Sequence, residues 1–325
     1  MDSPDQRNLR SRKIAIIGAG SVGATAAYAC QIRGVCDEIA LYDINGPKAA
    51  AHALDLQHGG PFTPTVTIGG GDDIGICEGA QVVVIAAGAK QRPGESRLVL
   101  TSRNGTLLRG LIPQLMRVNS GATLLLVTNP VDVLTYGALK LSGLPRQQVL
   151  GTGTVLDSAR FRTLIAARVR VAAKSVHAYI AGEHGDSEIP LWSSSALGTV
   201  PLRDWAVMGH GRLDVRARTE ITQQVKTAAA QIVAGKGATN FAIGLCCAEI
   251  VDALFDDTAR VLSVSALIEE KDGIEGVADV CLSLPRLVSN CQVELPLPVP
   301  MNENEKAGLR NSADILRSAI NEAGF

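Results

Sequence analysis

From Lys13 onward, short and almost purely apolar runs alternate with longer stretches in which apolar residues recur at helical spacing. Residues 13–17 predict a buried strand, 21–33 a helix, and 38–42 a second strand that ends at Asp43, which together make a β-α-β unit. Further strands are expected at 81–86 and 123–128, separated by helical stretches at 97–118 and 131–141. Runs such as Val82-Val83-Val84-Ile85 and Leu124-Leu125-Leu126-Val127 have no polar alternation, so both of their faces must be covered. That pattern belongs to an α/β fold, a doubly wound parallel sheet.

Beyond residue 151 the pattern changes. A helix at 154–169, a strand at 176–180 and two long helical stretches at 214–234 and 238–254 precede β-rich runs at 261–267, 276–284 and 291–295. Turn signals at Lys271-Asp272-Gly273 and Ser289-Asn290 predict hairpins. The chain closes on an amphipathic helix over 302–323, with Leu309, Ala313, Leu316 and Ile320 on one face. The expected organisation is a disordered tail at 1–12, a dinucleotide-binding domain at 13–150 and an α+β catalytic domain at 151–325. No repeat or low-complexity linker separates the halves, so they should pack tightly.

Composition narrows the function. With 46% apolar residues in 325, two cores can be built, and 31 Lys+Arg against 32 Asp+Glu leave no basic footprint for nucleic acid. The longest charge-free stretch, 14–32, is broken by Gly18, Gly20 and Gly23, and the first residues lack an apolar core, so neither a membrane span nor a secretory signal is expected. The seven cysteines contain no C-x-x-C pair, which argues against a zinc site or a disulfide framework and for reduced core thiols in a cytoplasmic protein. No metal is expected.

Gly18-Ala19-Gly20-Ser21-Val22-Gly23 matches G-x-G-x-x-G between a strand and a helix. There the bare backbone can approach a pyrophosphate while the helix N-terminus offsets its charge. Asp43, twenty residues past Gly23, can accept hydrogen bonds from ribose hydroxyls and would repel a 2′-phosphate, so NAD is favoured over NADP. Gly88 and Asn129 stand shortly past predicted strands, in two of the chain's polar clusters.

Four polar clusters interrupt apolar sequence near strand ends: 88–97, Thr128-Asn129-Pro130, 156–162 and 181–187. Taken singly they read as a solvated loop, a turn-capping Asn, a surface ion pair and a structural His. Together they meet the needs of one reaction. A neutral imidazole, His184, can take a hydroxyl proton while hydride leaves the same carbon, if a carboxylate, Asp157, supports the imidazolium. Arg160 can clamp a substrate carboxylate with two parallel hydrogen bonds, and Arg97, in a cation-rich segment suited to a lid, can polarise the reacting oxygen.

These segments, with Asp55-Leu56-Gln57-His58-Gly59 and 151–162, resemble the L-lactate/malate dehydrogenase family, and within it the bacterial L-lactate dehydrogenases, over nearly the whole chain from Lys13. The resemblance implies a Rossmann domain with a catalytic domain. It implies His184 as acid/base, Asp157 as its partner, Arg160 as clamp and Arg97 as lid arginine. It adds Gly88 and Asn129 as cofactor contacts, with Asn129 also a substrate contact, and Thr239 at the pocket wall. Asn240 and Phe241 stand where relatives often carry two aromatics. The implied reaction is the NAD-dependent interconversion of (S)-lactate and pyruvate; the alternative is a malate dehydrogenase or another 2-hydroxy acid dehydrogenase on the same scaffold. Malate enzymes of the family typically carry Arg two residues before the lid proline, where this chain has Gln91, a substrate contact that suits a methyl group. A noncatalytic dinucleotide sensor would have no need of the Asp157/His184 pair. Arg162 and His177 match positions that bind fructose 1,6-bisphosphate in activated bacterial relatives, and the family resemblance implies a homotetramer.

Overall fold

The computed structural model describes residues 11–89, 97–205 and 213–325, with only the backbone of Arg97. Six strands, β1 (Lys13–Ile17), β2 (Glu38–Tyr42), β3 (Thr67–Gly71), β4 (Val82–Ile85), β5 (Thr123–Leu126) and β6 (Val149–Gly151), are parallel and lie in the order 3-2-1-4-5-6. That is the dinucleotide-binding order, with its switch point between β1 and β4. The crossovers hold α1 (Ser21–Arg33), α2 (Gly46–His58), α3 (Arg97–Val118) and α4 (Val131–Ser142). Successive strand residues feed opposite cores. Ile14, Ile16, Val82 and Val84 face one side with Ala26, Ala27 and Ala49, while Ala15, Ile17, Val83 and Ile85 face the other with Leu108, Ile112 and Leu134.

After β6 the chain forms α5 (Val155–Val169), five two-residue strands, two helices and an antiparallel set. The short strands are β7 (Val176–His177), β8 (Ile180–Ala181), β9 (Ile189–Pro190), β10 (Ala196–Leu197) and β11 (Val200–Pro201). Next come α6 (Val215–Lys236), α7 (Phe241–Phe255), β12 (Arg260–Ile268), β13 (Val280–Ser289), β14 (Gln292–Pro296) and α8 (Glu303–Glu322). The hairpin strands do not build a separate sheet. β12 lies antiparallel to β6, Ser265 opposite Gly151, and β13 and β14 extend the same sheet to nine strands. Both halves therefore share one hydrogen-bonded sheet, and α7 packs its buried Cys246, Cys247 and Ile250 into the core beneath α1.

Most expected elements form within a residue or two of their predicted limits. The run at 176–180 instead splits: His177 pairs with Ala196 in a three-stranded sheet, whereas Ile180 pairs with Pro190 in another. The β-run expected at 276–284 starts at Val280 because Gly276 takes φ +75° and Asp279 φ +58°, which a strand cannot accommodate. The helix expected from 238 starts at Phe241, leaving Thr239 in a turn. The face of α8 forms as its spacing requires, with Leu309, Ala313, Leu316 and Ile320 buried. All seven cysteines are free, and six are buried. Among the described residues no helix is long and apolar enough to cross a membrane.

Candidate active site

The glycine turn leaves β1 and enters α1, and each glycine has a separate reason. Gly18 has φ +102°, and a Cβ on it would lie 2.7 Å from the Ala87 backbone. A Cβ on Gly23 would meet the Gly18 carbonyl oxygen at 1.9 Å, so glycine there lets α1 sit against β1. Gly20 is different: nothing lies within 4 Å of its Cβ position. Space is therefore open at the N-cap of α1, a helix with no side-chain cap and no acid in its first turn, where an anionic pyrophosphate fits. Asp43 directly follows β2 and accepts from the backbone N–H of Ala19 (2.7 Å) and Asn45 (2.9 Å), one bond on each oxygen. The remaining lone pairs of this half-buried carboxylate stay open to ribose hydroxyls. Gly88 is exposed three residues past the end of β4, beside Thr128, whose hydroxyl donates to the Ala87 carbonyl (2.7 Å).

A second group of loops meets the ends of β5 and β6. Asp157 lies in the first turn of α5, which is tied to β8. Thr154 Oγ1 donates to the Ile180 carbonyl (2.6 Å), and the Ile180 N–H donates to Ser158 Oγ (2.9 Å). His184 follows β8 on a turn opened by Gly182, at φ +87°, where a Cβ would strike Ile189 and Ser312. These ties bring together residues 27 positions apart: His184 Nδ1 lies 2.6 Å from Asp157 Oδ2. The other carboxylate oxygen, Oδ1, accepts from Arg160 Nη1 at 2.6 Å. With Nδ1 facing Asp157, Nε2 is the nitrogen left for chemistry.

Charge follows this geometry. Burial opposes an imidazolium, but the Asp157 carboxylate overrides it and pushes the His184 pKa up to about 9. Burial alone would raise Asp157; the imidazolium and the Arg160 guanidinium hold it below its ordinary value. His184 and Arg160 line a cavity of about 120 Å³ with Asn129, Thr239, Val22 and Leu156. Four expected substrate or acid/base residues thus share one space beside the first turn of α1. Gln91 and the side chain of Arg97 lie outside the described residues. Arg162 lines a different side of α5, where its Nε donates to the Ser158 carbonyl (3.3 Å), and His177 is exposed on β7, against which α5 packs.

Three positioning side chains escaped the sequence reading. Asp132, buried on α4, accepts the His184 backbone N–H through Oδ2 (2.7 Å), and burial pushes its pKa up to about 6. Ser312 on α8 accepts the Glu183 N–H (2.6 Å). Asn104, buried on α3, accepts from the Ala89 N–H (2.8 Å) and donates to the Asn129 carbonyl (2.8 Å), so it ties the segment after β4 to the cavity wall. Asp132 follows Asn129-Pro130-Val131 closely enough to have drawn attention; Ser312 carries no local signal at all.

The chain matches the lactate/malate dehydrogenase NAD-binding domain over residues 12–151 and the α/β C-terminal domain of the same family over residues 154–324. It is 47% identical to an L-lactate dehydrogenase of Bifidobacterium animalis subsp. lactis, with 98% of each chain covered. It is 44% identical to one of Thermus aquaticus, over 96% of this chain and all of that one. Among solved structures, the minor L-lactate dehydrogenase of Enterococcus mundtii superposes with a TM-score of 0.90 at 36% identity, covering 96% of this chain and 98% of that one. A lactate dehydrogenase from a Medee basin deep-sea metagenome library gives 0.91 at 36% identity, covering 98% and 100%. With both of the family's domain models matched, over residues 12–151 and 154–324, and the His184–Asp157 pair in place, this chain belongs to the lactate/malate dehydrogenase family.

Proposed function

We propose that the chain is an NAD-dependent L-lactate dehydrogenase that interconverts (S)-lactate and pyruvate. The observation that carries this reading is the single cavity shared by His184, Arg160, Asn129 and Thr239, with Asp157 behind both charged side chains. NAD, held by Gly18, Gly20, Ser21, Val22, Gly23, Asp43, Gly88 and Asn129, supplies the hydride acceptor for lactate oxidation and, reduced, the donor for pyruvate reduction. His184 moves the proton: Nε2 takes it from the lactate hydroxyl, and as imidazolium returns it to the carbonyl oxygen of pyruvate. Asp157 holds the ring through Nδ1 and balances its charge without itself becoming protonated. Arg160 pairs with the substrate carboxylate, for which its planar fork is suited. Arg97 steadies the developing charge on the reacting oxygen, and Gln91 faces the methyl end.

Residues 13–150 serve as the NAD domain and 151–325 as the catalytic domain. The enzyme is a cytoplasmic homotetramer that takes fructose 1,6-bisphosphate at Arg162 and His177. Support for self-association comes from large apolar side chains left exposed: Tyr28 and Ile32, one turn apart on α1, and Leu245 on α7. Support for a reducing compartment comes from the seven free cysteines. Following NADH absorbance with pyruvate and then oxaloacetate tests the assignment. Turnover should be high with pyruvate and low with oxaloacetate; the reverse order would make the chain a malate dehydrogenase, and no turnover with either would end the enzyme reading.

A further inference from the structure

Glu188 has no part in the scheme above, yet its surroundings are unusual for a carboxyl group. It is 6% exposed, and its Oε1 is buried without a hydrogen-bond partner among the described residues. The turn that carries His184 also holds Glu188, whose backbone N–H donates to the Gly185 carbonyl (3.2 Å). One Glu188 carboxyl oxygen lies within 4.8 Å of both a carboxylate oxygen of Asp157 and a ring nitrogen of His184. Among the described residues, the charged groups that act on it are Asp157 and Arg160 from α5, Lys226 from α6 and His184 from its own loop. Asp132 of α4 reaches the same turn at the His184 backbone, and α8 contributes the uncharged Ser312 hydroxyl there.

Two carboxyl groups this close in a buried site do not both ionise cheaply. Asp157 has two cationic partners in contact and keeps its charge, whereas among the described residues no cation touches Glu188. Burial first, and the Asp157 charge second, push the Glu188 carboxyl well above the usual carboxylate range. It is therefore neutral when the imidazolium has least need of help. Once ionised, it places a second negative charge beside the ring.

We propose that Glu188 is a positioning residue for the acid/base pair, a reserve carboxylate whose charge keeps the proton on His184 as the medium turns alkaline. This rests on the assignment of His184 as the acid/base group. The consequence is directional: pyruvate reduction, which consumes that proton, persists to higher pH than Asp157 alone would allow.

The test is an NMR titration of the His184 imidazole in the full chain, wild type against Glu188→Gln, with the resonance identified by its loss in His184→Asn. The isosteric amide cannot ionise, so the imidazole should titrate lower by roughly 0.5–1 pH unit. The alkaline limb of kcat/KM for pyruvate should move equally, read as a ~3- to 10-fold loss at a fixed pH above that limb. Coincident imidazole titrations, or a shift to higher pH, overturn the proposal. In the wild type, the Glu188 side-chain carbon should titrate above neutrality; titration near ~4, the ordinary range, overturns it too, whatever the variant's stability. Because the ring titration needs no turnover, a clear shift in an enzyme that ignores pyruvate would remove the substrate assignment and leave this inference standing.

Discussion

Asp157 Oδ2 lies 2.6 Å from His184 Nδ1, although the two residues are 27 positions apart and sit on different elements. One carboxylate thereby orients the ring that moves the proton while its other oxygen holds Arg160. His184→Asn should retain NADH binding and lose turnover by roughly two to four orders of magnitude, the usual scale of general acid-base work. Asp157→Asn should fold and still cost on the order of 100-fold, because an amide neither balances the imidazolium nor selects the tautomer. Single-turnover pyruvate reduction and NADH fluorescence titration separate the two effects; near-normal turnover in either variant would remove that residue from the chemistry.

The pH dependence has opposite signs in the two directions. Pyruvate reduction needs the imidazolium, which is complete well below the raised value of about 9 and is lost as pH climbs through it. Lactate oxidation needs the neutral ring, so its rate should rise across the same interval. Because the folded-state value exceeds the unfolded value of ~6.5, protonation of His184 also contributes stability that is full below ~6.5 and disappears as pH rises through about 9. Thermal unfolding of wild type and His184→Asn across that window should converge at the alkaline end. A constant difference would mean that the ring does not titrate there.

The three glycines of the turn should respond differently to a methyl group. Gly23→Ala places Cβ 1.9 Å from the Gly18 carbonyl oxygen, so α1 must move, at a cost of ~1–3 kcal/mol of stability. Gly20→Ala meets nothing within 4 Å and should leave the melting temperature almost unchanged. Its methyl group nonetheless occupies the face offered to the pyrophosphate, so NADH affinity should fall at least ~10-fold, or ~1.4 kcal/mol. A Gly20→Ala protein that binds NADH normally would place the pyrophosphate elsewhere.

Substrate choice should turn on the group at position 91. In a water-poor site an unpaired carboxylate is costly, so oxaloacetate should be a poor substrate for the wild type. Gln91→Arg supplies a partner for the second carboxylate and leaves a buried cation unpaired when pyruvate binds. The oxaloacetate-to-pyruvate ratio of kcat/KM should then shift by at least ~100-fold toward oxaloacetate. Ratios measured at one pH and salt concentration that hardly differ between the two proteins would show that Gln91 does not read the far end of the substrate.

Arg162 points away from the cavity that Arg160 enters, since residues two apart on a helix lie about 200° apart around its axis. With His177 exposed on the neighbouring strand, it is available to a phosphate. Fructose 1,6-bisphosphate should lower the KM for pyruvate at low enzyme concentration, and Arg162→Gln should abolish that response while leaving saturation without the effector unchanged. Identical curves with and without the bisphosphate in the wild type would rule out the site.

What the linear chain determines about this protein is whatever depends on near neighbours. Apolar runs too uniform for a half-solvated strand demand cover on both faces, so 82–85 and 123–126 had to be central in a parallel sheet. The glycine spacing at 18, 20 and 23 is likewise local, because one turn must both reverse tightly and open a helix. The Asp157–Arg160 pair follows from three-residue helical spacing alone. Glycine-rich β3 and polar, alanine-rich α2 carry no clear local pattern, because three of the five residues in Thr67-Ile68-Gly69-Gly70-Gly71 are glycine and the strand is held by pairing with β2 and by close packing of α2 over Gly70. Only the tertiary structure decided that the last three strands join the first sheet, through Ser265 against Gly151. The same holds for Asp132, Ser312 and Asn104 as supports of the site. Their hydrogen bonds span 52, 129 and 15 positions. Hydrogen bonds to backbone groups that far along the chain leave no periodicity to read, since the partner's side chain plays no part and nothing in its residue type marks the contact.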